Sequence, residues 1–193
     1  MKAGLDREKI IEVAAAIADD QGTQDITIKN LAEKLGIKSP SIYKHFSGGL
    51  EEINTELMLY GWSQMEKRII DAAVGRSGDD AFIALCNAYR DFANEHKGLY
   101  EIMQWYNMYQ SERHLKATEG MVNVMFRVLD AYGLETEQKV HIVRMLRSFL
   151  HGFATMECHE GYGSPYSVDE TFDFSIRTII NGISDIKKGG RKQ

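Results

Sequence analysis

Proline is nearly absent from this chain of 193 residues, with only Pro40 and Pro165 present. Ordinary usage of about 5% would give roughly ten. Proline interrupts helices, so its scarcity predicts a nearly all-helical chain. Cysteine is scarce as well: Cys86 and Cys158 are too few for a disulfide framework and have no C-x-x-C spacing. They fit a reducing compartment. Long apolar runs are missing. Near the N-terminus, Val13 to Ala18 is followed at once by Asp19 and Asp20, short of a signal segment and of the roughly 18 residues that a membrane span needs. The expectation is a soluble, unprocessed, cytoplasmic protein with no membrane partner. Positive charge is in deficit, since 23 Lys+Arg stand against 28 Asp+Glu for a net of −5. Such a balance argues against a body coated with basic charge for nucleic-acid binding.

Catalytic signatures are missing too. The chain has no G-x-S-x-G elbow, P-loop, G-x-G-x-x-G or H-E-x-x-H, so no enzyme is expected. His151, Cys158 and His159 lie close in sequence, but the i, i+4 partner of His151 is Thr155, which is not a metal ligand. No metal and no cofactor are expected.

What the chain has is helical periodicity, read as about nine helices. Asp6 is placed to cap a first helix over residues 6–21 that stops at Gly22. Thr27 opens a short second helix that ends at Gly36. A third begins at Ser39-Pro40, with serine capping and proline in the first turn, and runs through Ile42, Tyr43 and Phe46 to Gly48-Gly49. A long helix follows from Leu50 toward Gly75, then helices over 79–96, 99–109 and 112–132. The jump in length sets the expected domain boundary: 1–48 a three-helix unit, 49–193 a helical bundle.

The last two helices are richer in apolar residues. The helix over 135–160, about 38 Å long at 1.5 Å per residue, carries more than one apolar stripe. After the loop at 161–166, Ser167-x-x-Glu170 reads as a capping box ahead of the final helix. Two such helices pair with two from a twin subunit as a four-helix bundle, or lie centrally in one subunit. The homodimer is the reading preferred here, with Val143, Arg147, Leu150, Phe153, Phe172, Ile176, Ile179 and Ile183 at its interface.

Residues 27–46 have the grammar of a helix-turn-helix. Small Ala32 lets two helices cross, Gly36 supplies a left-handed turn, and Leu31, Leu35, Ile37 and Ile42 form a shared core. Left outside are Thr27, Lys29, Lys38, Ser39, Ser41, Tyr43, Lys44 and His45, with Pro40 at the helix start. Over residues 27–48, Lys29, Lys34, Lys38 and Lys44 against Glu33 give a local net of +3. A helix of this size fits the roughly 12 Å major groove, where such side chains meet base edges and phosphates. These nine residues are the expected DNA contacts. A helical protein-binding adaptor or a small all-α enzyme is the competing reading, and both leave residues 27–46 as coincidence.

Residues 6–60 resemble the DNA-binding domain of the tetracycline-repressor (TetR) family. The resemblance rests on Thr27-Ile28-Lys29-Asn30-Leu31-Ala32, Leu35-Gly36-Ile37 and Ser41-Ile42-Tyr43-Lys44-His45-Phe46. Tyr89-Arg90-x-Phe92-Ala93-x-x-His96-x-Gly98-Leu99-Tyr100 and Leu150-His151-Gly152-Phe153 are similar to one C-terminal subclass, although Lys97 stands where that subclass often has proline. Many relatives carry a lysine at the start of the fourth helix. This chain has Ser47-Gly48-Gly49-Leu50-Glu51-Glu52 there, which leaves any phosphate contact to backbone amides.

The resemblance implies a transcriptional repressor that binds a palindromic double-stranded DNA operator as a homodimer and is released by a small molecule. Its recognition helices would sit about 34 Å apart. A small apolar or aromatic effector is expected among Trp62, Tyr89, Met103, Trp105, Tyr106, Met125, Phe126 and His151. Aromatics and methionines of this kind line adaptable apolar cavities. Splitting the charge sharpens the picture: residues 1–48 hold seven basic and seven acidic residues, so the whole deficit lies in 49–193.

Overall fold

The computed structural model describes residues 6–105 and 111–189. Among them are nine α-helices, one short 3₁₀ turn and no strand: α1 (Arg7–Gln21), α2 (Ile28–Leu35), α3 (Ser39–Tyr43), α4 (Gly49–Ala73), α5 (Gly78–Glu95), α6 (Lys97–Trp105), α7 (Glu112–Asp130), α8 (Thr136–Cys158) and α9 (Val168–Gly189). The all-α class read from the sequence is the class observed. By packing, the chain forms two compact units, Met1–Gln64 with His96–Ala117 and Met65–Glu95 with Thr118–Gln193. These units group residues by contact, which is a different division from the functional one placed at residue 48.

In the first unit, the side chain of Asp6 accepts the Lys9 amide at 2.8 Å and starts α1, which buries Ile10, Ala14, Ile17 and Ala18. Thr27 Oγ1 accepts the Asn30 amide at 3.1 Å and starts α2. Gly36, at φ 66° and ψ 33°, is left-handed, and the Ile37 amide reaches back to the Ala32 carbonyl at 2.9 Å. Glycine adopts that conformation without the Cβ penalty, so the chain turns sharply into the next helix. Leu31, Ala32, Ile42 and Phe46 fill the space between the two helices.

The start of α3 differs from the sequence expectation. Lys38, not Ser39, occupies the N-cap with extended backbone and no side-chain cap, and Ser39 and Pro40 lie in the first turn. The helix also ends at Tyr43 rather than Phe46, although the Phe46 amide still bonds the Ile42 carbonyl at 2.9 Å. Gly49, expected to close this element, instead opens α4 at φ 65°. The sixth helix begins at Lys97, two residues before the expected 99.

The second unit holds the C-terminal part of α4, α5, the later turns of α7, α8 and α9. Arg90 is its polar centre. Its Nε donates to Glu157 at 2.8 Å, its Nη2 donates to both Glu157 and Asp169, and its guanidinium lies 4.8 Å from the Phe172 ring centroid. Asn94 also donates to Glu157, at 2.9 Å. α5, α8 and α9 are thus tied by one cation. Around it pack Phe149, Phe153, Tyr162 and Phe172, with ring centroids 4.9–6.0 Å apart. The start of α8 is a full capping box of Glu135 and Gln138, and Ser167 Oγ accepts the Glu170 amide at 3.3 Å ahead of α9.

Candidate nucleic-acid interface

Of the nine residues expected to contact DNA, Thr27, Lys29, Lys38, Pro40, Tyr43 and Lys44 are exposed, and Ser39, Ser41 and His45 are half-buried. The alternation comes from packing. Ile42 and Phe46, both 0% exposed, face the core, which turns Tyr43 and Lys44 outward. Tyr43 keeps half of its surface exposed. A Cβ on Gly49 would lie 3.3 Å from the Tyr43 ring, so the glycine leaves room for the tyrosine beside the start of α4. Thr27 has a local task as well, since its hydroxyl is the α2 cap.

Several residues that fix this surface had not been singled out. Asn30 Nδ2 donates to Gln21 Oε1 at 3.0 Å and to the Asp25 carbonyl at 2.9 Å, which pins α2 to the end of α1. Arg7 lies with its guanidinium carbon 4.0 Å from the Phe46 ring centroid and donates to the His45 carbonyl. It also pairs with Glu52 at 2.8 Å and Glu56 at 3.1 Å. Asn30 stands inside the quoted motif and was legible there; Arg7 carries no local signal.

The amide just ahead of α4 is already occupied. Gly48 donates its amide to Glu52 Oε2 at 2.9 Å. That bond, and then the Arg7 hydrogen bond, hold the Glu52 carboxyl below its ordinary pKa. A carboxylate therefore satisfies an amide that the sequence reading had left open for phosphate.

The expected effector residues fall in both packing units. Trp62 and Met103 are buried in the first; Tyr89 and Met125 are buried, and Phe126 and His151 half-buried, in the second. Burial and then the nearby Arg147 charge push the His151 pKa down. Tyr106 and the side chain of Trp105 lie outside the described residues. Two surface hollows in the second unit, of about 560 Å³ beside Arg68 and Asp91 and about 300 Å³ beside Val74 and Arg127, are lined by none of these eight residues. The sequence reading missed His114, 3% exposed, whose ring meets Trp62 edge-on at 5.4 Å.

Of the residues expected at a dimer interface, Leu150, Phe153, Phe172, Ile176 and Ile183 are already buried within one chain. Val143 and Ile179 are half-buried and Arg147 is exposed. On the same two helices Met145, Met156, Phe174 and Ile186 remain exposed, at 40–72%. Among the described residues no helix is long and apolar enough to cross a membrane.

Two short helices joined at a left-handed glycine, with a polar and lysine-bearing outer face, define a helix-turn-helix DNA-binding protein. Residues 10–48 match the family described as "Bacterial regulatory proteins, tetR family", and residues 82–179 match "Tetracyclin repressor-like, C-terminal domain". The chain belongs to the TetR family of bacterial transcriptional regulators. It is 32% identical over 183 residues to the uncharacterized HTH-type transcriptional regulator YobS of Bacillus subtilis, with 94% of each chain covered. A second uncharacterized HTH-type regulator, from Mycobacterium tuberculosis, is 32% identical over 94% of this chain and 83% of its own length. Among solved structures, a protein of unknown function from Rhodococcus sp. RHA1 superposes with a TM-score of 0.79 at 19% identity, over 95% of this chain and 97% of its own. BioQ, solved with its natural double-stranded DNA operator, gives 0.68 at 19% identity over 94% and 99%. Both likenesses are of fold alone.

Proposed function

We propose that this protein is a ligand-responsive repressor that binds a palindromic operator as a homodimer in the cytoplasm and is released by a small apolar or aromatic effector. The observation that carries the reading is the outward row Lys38, Tyr43 and Lys44 over the buried Ile42 and Phe46. Burying Ile42 and Phe46 turns Tyr43 and Lys44 outward, but it does not dictate that lysine and tyrosine stand there. Groove recognition does, because base edges are met by side chains that project from the helix. The BioQ neighbour, which binds an operator, supports the same reading by analogy of fold. In this proposal residues 1–48 read DNA and 49–193 respond and dimerise.

The homodimer draws on the exposed apolar residues of α8 and α9. Met145 and Met156 flank Gly152, and Phe174 and Ile186 flank Gly182; a Cβ on either glycine would meet nothing within 4 Å. Four large apolar side chains around two open glycines are what a close two-fold helix crossing covers. The residues inward of them, Leu150 and Ile176 among them, then support the interface from within the chain.

An electrophoretic titration against the DNA flanking the protein's own gene, with unrelated DNA as competitor, tests the reading. Retention of one flanking fragment in the presence of competitor is expected. Binding without preference would remove the repressor reading.

A further inference from the structure

Glu56, on α4, is shared by two arginines from different elements. Its Oε1 takes Arg7 of α1 at 3.1 Å, and its Oε2 takes Arg113 at the start of α7 at 2.7 Å. Arg7 in turn is divided three ways. Its Nη1 donates to the His45 carbonyl and pairs with Glu52 at 2.8 Å, and only its Nη2 reaches Glu56. Its face lies over Phe46, which is wholly buried directly after the recognition helix α3. One guanidinium therefore holds the His45 carbonyl, just past the recognition helix, against α1 and α4, and one carboxylate decides how much of that guanidinium is available.

We infer that Arg7 is a positioning residue for the recognition helix, and that Arg113 controls its hold by occupying the second oxygen of Glu56. A guanidinium and a carboxylate prefer to meet through two parallel bonds. While Arg113 holds Oε2, Glu56 offers Arg7 a single oxygen, and Nη1 stays on His45 and Glu52. When Arg113 leaves, both oxygens of Glu56 become available, and the two-bond arrangement draws Nη1 off the His45 carbonyl. The end of the recognition helix then loses its tether. Any event that moves the first turn of α7 is read out at His45 and Phe46, with no contact between α7 and DNA. The charges balance across the cluster, two arginines against Glu52 and Glu56, so the device works by geometry and not by net charge. The pairs are partly exposed, with Arg113 at 57% and Glu56 at 24%. Pairs so exposed have small effects, which sets the expected change at about 2–5-fold.

The inference rests on DNA reading by α3, and the test separates the two. In the full-length protein, amide hydrogen exchange of segment 39–48 is compared for wild type, Arg113→Ala, Arg7→Lys and the double variant. Lysine keeps the charge but lacks the fork that engages His45, Glu52 and Glu56 together. Arg113→Ala is expected to speed exchange in this segment by about 2–5-fold, and to add nothing in the Arg7→Lys background. Unchanged exchange in Arg113→Ala, or the same increment in both backgrounds, overturns the inference. In a second arm, a duplex selected from a randomised pool by the wild-type protein should bind Arg113→Ala about 2–5-fold more weakly with the same salt dependence. A reduced salt dependence would make Arg113 a phosphate contact and overturn it as well. Failure of the wild type to select any duplex would sink the DNA reading, while the exchange experiment would still decide the inference.

Discussion

Asp19 accepts the backbone amide of Leu99 at 2.9 Å. The second carboxylate oxygen lies 2.8 Å from Nδ1 of His96, so the end of α1 caps the start of α6 from outside that helix. Gly98 sits at the closest approach: a Cβ there would stand 1.9 Å from the Ala18 carbonyl oxygen. The His96-x-Gly98-Leu99 motif seen in the sequence thus acquires a packing reason, with the histidine that meets the Asp19 cap, the missing side chain and the capped amide within four residues.

Gly98→Ala is expected to destabilise strongly, because its obstacle is backbone and cannot turn aside; overpacking of this kind costs about 1–3 kcal/mol or more. Asp19→Ala should cost about 0.5–2 kcal/mol, the worth of a helix cap. By contrast, Gly120→Ala should be mild. Its Cβ would meet Glu66 Oε1 at 2.0 Å, the far end of a side chain that can rotate away. Urea midpoints of the three variants check the order, and a Gly98→Ala midpoint equal to wild type would contradict the close α1–α6 contact.

Arg90 and Glu157 make a pair with side chains only 13% and 18% exposed. Arg90→Ala strands the Glu157 charge, and breaking a buried pair costs about 3–5 kcal/mol, here reduced to about 2–3 by the remaining exposure. A drop of roughly 5–10 °C in thermal midpoint follows for a chain of this size. The Arg90 hydrogen bond, opposed by burial, holds the Glu157 pKa below its ordinary value. A depressed carboxylate gives stability that is present above its unfolded value, about 4.3, and is lost as pH falls through the folded one. Wild type should therefore lose stability steeply below about pH 4.3, and Arg90→Ala should show a shallower acid limb. Parallel acid limbs would contradict the pairing.

Gly152→Ala tests the proposed dimer face. In an isolated helix the change stabilises by about 0.5–1 kcal/mol, and nothing in the chain opposes it. If a twin helix crosses there, the same methyl opposes association, and the dimer dissociation constant by sedimentation should rise. Gly163→Ala, also in open space but in the loop before α9, should leave association unchanged. A monomeric wild type at micromolar concentration, or tighter association of Gly152→Ala, would contradict the proposal.

What was legible in the sequence was local. The caps at Asp6 and Thr27 act across three residues, and the turn at Gly36 and the buried Leu31, Ala32 and Ile42 lie within a dozen, so spacing alone exposes them; Leu35 and Ile37, expected in the same core, are only half-buried. The start of α3 slipped by one because proline fits either of the first two helical positions, and Lys38 takes the cap with backbone alone. The capping box of Glu135 and Gln138 escaped notice because glutamate is not a favoured cap residue. The longer ties were beyond reach. Arg113 and Glu56 are 57 residues apart, Arg90 and Asp169 79, and periodicity gives a face without naming what meets it. For the same reason Leu150 and Ile176 read as surfaces for a second chain when their own chain covers them.

The central claim is that the exposed face of α3 reads DNA, and Lys44→Ala tests it most directly. The measurement is operator affinity as a function of salt concentration for wild type and variant, on a duplex selected by the wild type. The account predicts a duplex bound about 10³-fold or more above unrelated DNA, with Lys44→Ala weaker and its salt slope lower by about one. Equal affinity and equal slope for the two proteins would take Lys44 out of the interface and contradict the account.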